Sequence, residues 1–70
     1  MIMTNFTKLD IETLINGGAK EIHNFDELHA IPEGFVIVGD YDEPHPEYGY
    51  PVAVVRVLKG FSGKHYVYYL

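Results

Sequence analysis

Phe35-Val-Ile-Val-Gly-Asp-Tyr-Asp-Glu-Pro-His-Pro-Glu-Tyr-Gly-Tyr-Pro-Val-Ala-Val-Val-Arg-Val-Leu58 holds two β-branched runs separated by an acidic, proline-containing connection. Runs of Val, Ile and Tyr bounded by Gly and Pro match a pleated, largely buried surface, so 35–41 and 50–58 are expected to be paired strands. Gly39 fits a bulge, and Pro51 stands at a strand entrance, where a missing amide does least damage. Lys59-Gly-Phe-Ser-Gly-Lys64 reads as a second turn, and His65-Tyr-Val-Tyr-Tyr-Leu70 as a final strand. Short connections between successive strands favour an antiparallel meander.

Upstream, Ile11, Leu14 and Ile15 follow the i, i+3, i+4 spacing of a short helix. Thr7 is placed to cap it, with Asp10 and Glu12 at the positive end of its dipole, and Asn16-Gly17-Gly18 supplies its stop. Residues 19–25 alternate weakly, as a marginal strand would. Asp26 to Ile31 fits one helical turn ended by Pro32, and Pro32-Glu33-Gly34 a turn. The expected fold class is α+β: one short N-terminal helix on a three- to four-stranded, mainly antiparallel β-meander, with residues 1–70 as a single small domain.

Seventy residues set a tight limit on the core, since a chain of this size buries only about 60% of the surface it exposes when unfolded. An apolar fraction of 47% is nevertheless far above that of disordered chains. With no cysteine, disulfides and thiolate zinc sites are excluded, which fits a reducing compartment. The N-terminal residues lack a basic segment followed by an apolar run of signal length, and no stretch is long and apolar enough to span a bilayer. A cytoplasmic protein with no membrane association is therefore expected.

Charge is segregated. Residues 21–47 carry eight carboxylates and no Lys or Arg, whereas 48–70 carry three bases and no acid, within a net charge of −5. A negative surface disfavours direct nucleic-acid binding, which needs basic groups to displace counterions. It favours encounter with a protein partner that presents a basic surface. The segment 40–50 is the candidate site, through Asp40, Tyr41, Asp42, Glu43, His45, Glu47, Tyr48 and Tyr50. Its prolines lower the ordering cost of binding, and tyrosine with carboxylate suits contact with Arg and Lys.

No catalytic, cofactor or metal site is expected. The four histidines lack metal-ligand spacing, the acids lack calcium-loop spacing, and Ser62 lies in no nucleophile elbow. The expectation is a small acidic, non-enzymatic binding protein, an inhibitor or charge mimic that docks on a basic partner surface through 40–50. The alternative is a structural or assembly subunit that forms a homo-oligomer, such as a homodimer, through the aromatic C-terminal strand by edge or face packing, the strand being placed at or near a sheet edge. Arg56, alone in an apolar run, is expected to emerge at an exposed face or to meet an acid or a C-terminal tyrosine across the strand pair.

Overall fold

A computed structural model describes residues 4–70 of the chain. In chain order it contains β1 (Thr4–Phe6), α1 (Lys8–Asn16), β2 (Lys20–Ile22), α2 (Phe25–His29), β3 (Phe35–Pro44), β4 (Pro51–Gly60) and β5 (His65–Tyr69). The strands form one mixed sheet in the order β1-β3-β4-β5-β2. The fold is α+β, and its centre is the expected meander: β3, β4 and β5 are consecutive and antiparallel.

The edges differ from the expectation. β1 pairs parallel with β3 on one side and β2 pairs parallel with β5 on the other, so the sheet has five strands and a mixed character. β5 therefore lies inside the sheet, between β4 and β2. The C-terminal aromatic strand is thus not an open edge, which removes the edge-packing form of the homo-oligomer alternative. β2 falls within the weakly alternating residues 19–25, whereas the three residues of β1 are too few for a recognisable alternation, which is why β1 escapes a reading of periodicity.

Cover comes from both faces. On one, Ile11 of α1 closes over Val55, Val57 and Val67, with Leu14 and Ile15 packed beside it. On the other, Ile31 and Leu28 close over Ile22, Leu58 and Tyr66. Neighbouring residues such as Val57 and Leu58 point to opposite faces, and both are almost fully buried, at 0% and 1% exposure. One helix was expected to cover the sheet; two are needed because β4 is apolar on both sides.

The local signals for α1 are realised. Thr7 Oγ1 accepts the Asp10 amide at 3.2 Å, and the Thr7 amide donates back to Asp10 Oδ2 at 2.9 Å, a reciprocal capping box. Gly18, at φ 101°, turns the chain beyond the helix. α2 is capped one residue pair earlier than its sequence suggests: Asn24, and not Asp26, accepts the Glu27 amide at 2.9 Å.

Two contacts fasten the edges. The register of β3 on β4 shifts between Ile37 and Gly39, the bulge expected at this glycine. A side chain at Gly39 would overlap the Thr4 carbonyl and approach the Phe6 ring to 2.8 Å, so β1 docks only because this position is bare. At the opposite edge Tyr69 donates its hydroxyl to Glu21 at 2.5 Å, and its ring stacks on His23 at 4.9 Å.

Gly39→Ala is expected to cost about 1–3 kcal/mol, the range for forced overpacking, and to release β1. Amide hydrogen exchange should show faster exchange in 4–6 and little change in β4. Tyr69 provides a pH test. The Glu21 carboxylate disfavours the phenolate, and burial adds to it, raising the phenol from 10.0 to about 12. A phenol raised on folding contributes stability that is complete below the unfolded value and is lost as pH rises through the folded one. Denaturation midpoints should therefore fall between pH 10 and about 12, and Glu21→Gln should flatten that part of the profile.

Candidate functional site

The connection between the central strands is shorter, and the strands longer, than the sequence suggests. β3 continues through Asp42 and Glu43 to Pro44, and β4 begins at Pro51, with Pro44 and Pro51 opposite one another. Acidic residues and proline are poor strand formers, so this extension is imposed by the pairing and not by local preference. β1 is registered with β3 only as far as Tyr41, and β5 with β4 only from Val55. Beyond those points β3 and β4 form a two-stranded ribbon. Its two prolines remove amide donors from open edges, a usual defence against unwanted strand pairing.

Residues 45–50 close the ribbon. The His45 amide donates to the Tyr50 carbonyl and the Gly49 amide to the His45 carbonyl, both at 2.9 Å, and Gly49 takes φ 75°. Inside the turn, His45 Nδ1 accepts the Glu47 amide at 3.1 Å and the Tyr48 amide at 3.4 Å. An imidazole nitrogen accepts through a free lone pair, and Nδ1 has this acceptor role in the turn. The histidine does what an Asx side chain does in a tight turn, capping the backbone two residues on.

The same ring organises the aromatics. His45 lies 4.5 Å from Tyr48 and 6.2 Å from Tyr50, and Tyr48 lies 5.5 Å from Tyr50, with all ring planes within 26°. Centroids at the corners of such a triangle describe a compact platform, since a column of three rings would hold its outer members further apart. Tyr48 and Tyr50 remain 64% and 56% exposed, while His45 is half-buried beneath them. Pro44, Pro46, Glu47 and Pro51 are exposed around it.

The eight candidate residues divide. Asp40 lies in β3 and is the cross-strand neighbour of Arg56, whose Nε and Nη2 donate to its two carboxylate oxygens at 2.8 and 3.2 Å. Of the outcomes expected for Arg56, namely exposure, an acid or a C-terminal tyrosine across the strand pair, the acid is realised, and its hydrogen bond raises the guanidinium above its ordinary value. With its side chain only 13% exposed, Asp40 belongs to the sheet and not to the tip. Tyr41 packs against the α1-side core and donates its hydroxyl to Glu43 at 2.7 Å, which raises the phenol. His45 is engaged in the turn. Asp42, Glu47, Tyr48 and Tyr50 present exposed side chains, and Glu43 is exposed with one carboxylate oxygen engaged.

Among the described residues no three His, Asp or Glu side chains converge as a metal-ligand set, and no helix is long and apolar enough to cross a membrane. No protein-family model, curated protein or solved structure matches this chain.

Two substitutions separate the roles of His45. His45→Asn retains a side-chain acceptor for the turn but removes the ring, whereas His45→Phe retains the ring and removes the acceptor. In the Phe variant the Glu47 and Tyr48 amides should lose exchange protection, at a cost of about 1 kcal/mol for the lost hydrogen bonding. In the Asn variant those amides should stay protected while the His45 contribution to the ring-current shifts of Tyr48 and Tyr50 is lost.

Proposed function

We propose that this chain is a non-enzymatic binding protein whose ribbon tip docks on a basic surface of a partner protein. The observation that carries the reading is the aromatic platform of His45, Tyr48 and Tyr50, held open to solvent at the end of a proline-stiffened ribbon. Exposed rings of this size normally pack inward or against a partner, because their burial supplies much of the energy available at an interface. Here they are ordered in advance by the His45 turn, so binding would sacrifice little further freedom.

Charge sets the kind of partner. Asp42, Glu43 and Glu47 have no basic neighbour in sequence between Glu21 and Glu47, and a carboxylate beside an exposed ring suits an arginine that pairs with the one and lies on the other. The negative field of the segment would also accelerate encounter with a positive surface. Asp40 and Tyr41 are removed from the interface in this reading and kept as sheet residues. Inhibition of a basic site, by covering it, is the simplest consequence of such docking. The non-enzymatic part is supported by the occupation of the polar groups nearest the tip: His45 holds backbone amides, Glu43 holds Tyr41, and Asp40 holds Arg56.

The test is affinity capture from the native host, followed by titration of the purified captured protein against variants. Asp42→Lys combined with Glu47→Lys should weaken binding at least tenfold, about 1.4 kcal/mol, and flatten its salt dependence. Tyr48→Ala should cost about 2 kcal/mol or more if the ring is an anchor. Arg56→Ala should act on stability alone. Affinity insensitive to salt, to both charge reversals and to Tyr48→Ala would sink the proposal.

A further inference from the structure

On the α1 face the sheet is wider than the helix that covers it. Beside α1, over the outer parts of β3 and β4, runs an open groove of about 350 Å3. Val54, Val55 and Tyr41 form its floor, Ile11 and Ile15 its helical wall, and Tyr69 its end. Val54 is the residue left without a partner where the β3–β4 register shifts a second time, between Tyr41 and Asp42, and it packs against the α1-side core. Both tyrosine hydroxyls are committed to carboxylates, Tyr41 to Glu43 and Tyr69 to Glu21. The groove is thus lined mainly by hydrocarbon and ring carbon.

Its rim is charged. Glu12 from α1 and Glu43 from β3 face a single base, Lys8. Neither carboxylate is in an ion pair, since Asp40 with Arg56 is the one pair among the described residues.

We infer that this groove receives an amphipathic, Lys- or Arg-bearing helix of the binding partner, lying beside α1 as the second helix of that layer. The inference builds on the reading that the partner is basic and adds where and in what form it binds. A sheet face with one helix on part of its width is an incomplete layer, and a second helix packs about 8–10 Å from the first. Apolar residues at i, i+3 or i+4, and i+7 would enter the floor, and the flanking bases would meet Glu12 and Glu43. A strand is the poorer occupant, because the ribbon edges carry Pro44 and Pro51. From the groove the ribbon runs on about 10 Å from Tyr41 to Pro44, at roughly 3.3 Å per residue. A helix of about 14 residues, roughly 20 Å long, is therefore longer than that stretch of ribbon.

The probe is a synthetic Leu/Lys peptide of about 14 residues in a helical pattern, titrated into isotopically labelled protein alongside its Leu/Glu counterpart and a scrambled Leu/Lys peptide. The Leu/Lys helix should bind at least tenfold more tightly than either control and shift the methyls of Ile11, Ile15, Val54 and Val55. Val54→Lys should weaken it at least tenfold; if that variant loses its amide dispersion, Ile15→Gln replaces it. Equal binding of the Leu/Glu peptide would overturn the inference by reducing the groove to a non-selective apolar surface. So would tight binding of the scrambled peptide, or the absence of methyl shifts. Shifts confined to Tyr48 and Tyr50, weakened only by Asp42→Lys with Glu47→Lys, would overturn the groove and leave the tip reading standing. Groove shifts together with a native partner indifferent to the tip variants would do the reverse.

Discussion

The constraint on which the fold depends is that β4 is apolar on both faces. Val55 and Val57 point to one side, Leu58 to the other, and all three are buried. A half-solvated antiparallel sheet would tolerate one such face; two require cover above and below. The N-terminal half supplies it. Starting from β1 at one edge, α1 crosses one face to reach β2 at the far edge, and α2 with the residues around Ile31 crosses back over the other face to β3. Crossings in opposite directions on opposite faces share one hand, as the handedness rule for parallel connections asks of both. Four strands consequently run in one direction and β4 alone runs against them.

That wrapping also settles the edges. A meander alone would expose a tyrosine-rich final strand, but β2 pairs with it, and Glu21 and His23 hold Tyr69 by its hydroxyl and its ring face. At the other side β1 covers β3 only where Gly39 lets backbone approach backbone. Each edge strand is short, and each depends on one side chain, or the lack of one, in its neighbour. The edges are nonetheless tied to the core, Ile22 of β2 as a fully buried member of one cluster and Phe6 of β1 packed against the other.

The sequence made the centre of this arrangement legible and the periphery much less so. Strong signals matched strong local physics: the β-branched runs, the bulge at Gly39, the Thr7 cap and the Gly17-Gly18 stop all describe interactions within a few residues or between adjacent strands. β1 and β2 are held by non-local parallel pairing: residues 19–25 show a weak alternation but not its partner, and Thr4-Asn5-Phe6 carries no period to read. In the candidate site the exposed members Asp42, Glu47, Tyr48 and Tyr50 were recognisable from composition. The reassignment of Asp40 to Arg56 was half visible, since an arginine in an apolar strand needs a partner, but its partner follows only from a register that includes the bulge. The capping role of His45 was hidden for the same kind of reason: histidine is not a usual turn former, and its acceptor function appears only once Pro44 and Pro51 fix the ribbon's width.

The ribbon links these two levels. Pairing beyond the last contact with β1 and β5 is not needed to bury the core, because Asp42, Glu43, Pro44 and Pro51 are exposed. A chain of 70 residues with little apolar surface to spare has nonetheless carried its longest strands past the body of the sheet and ended them in ordered aromatic rings. The acids of the middle third are sorted by the same extension. Those inside the sheet or at a helix cap meet partners within the molecule, as Asp40 meets Arg56 and Glu27 meets the Asn24 cap. Those on the ribbon, Asp42, Glu43 and Glu47, are exposed and are in no ion pair among the described residues. Charge asymmetry in the sequence thus becomes, through strand length alone, a negative aromatic projection, and the groove beside α1 lies at the root of that projection on the face where the helical layer is incomplete.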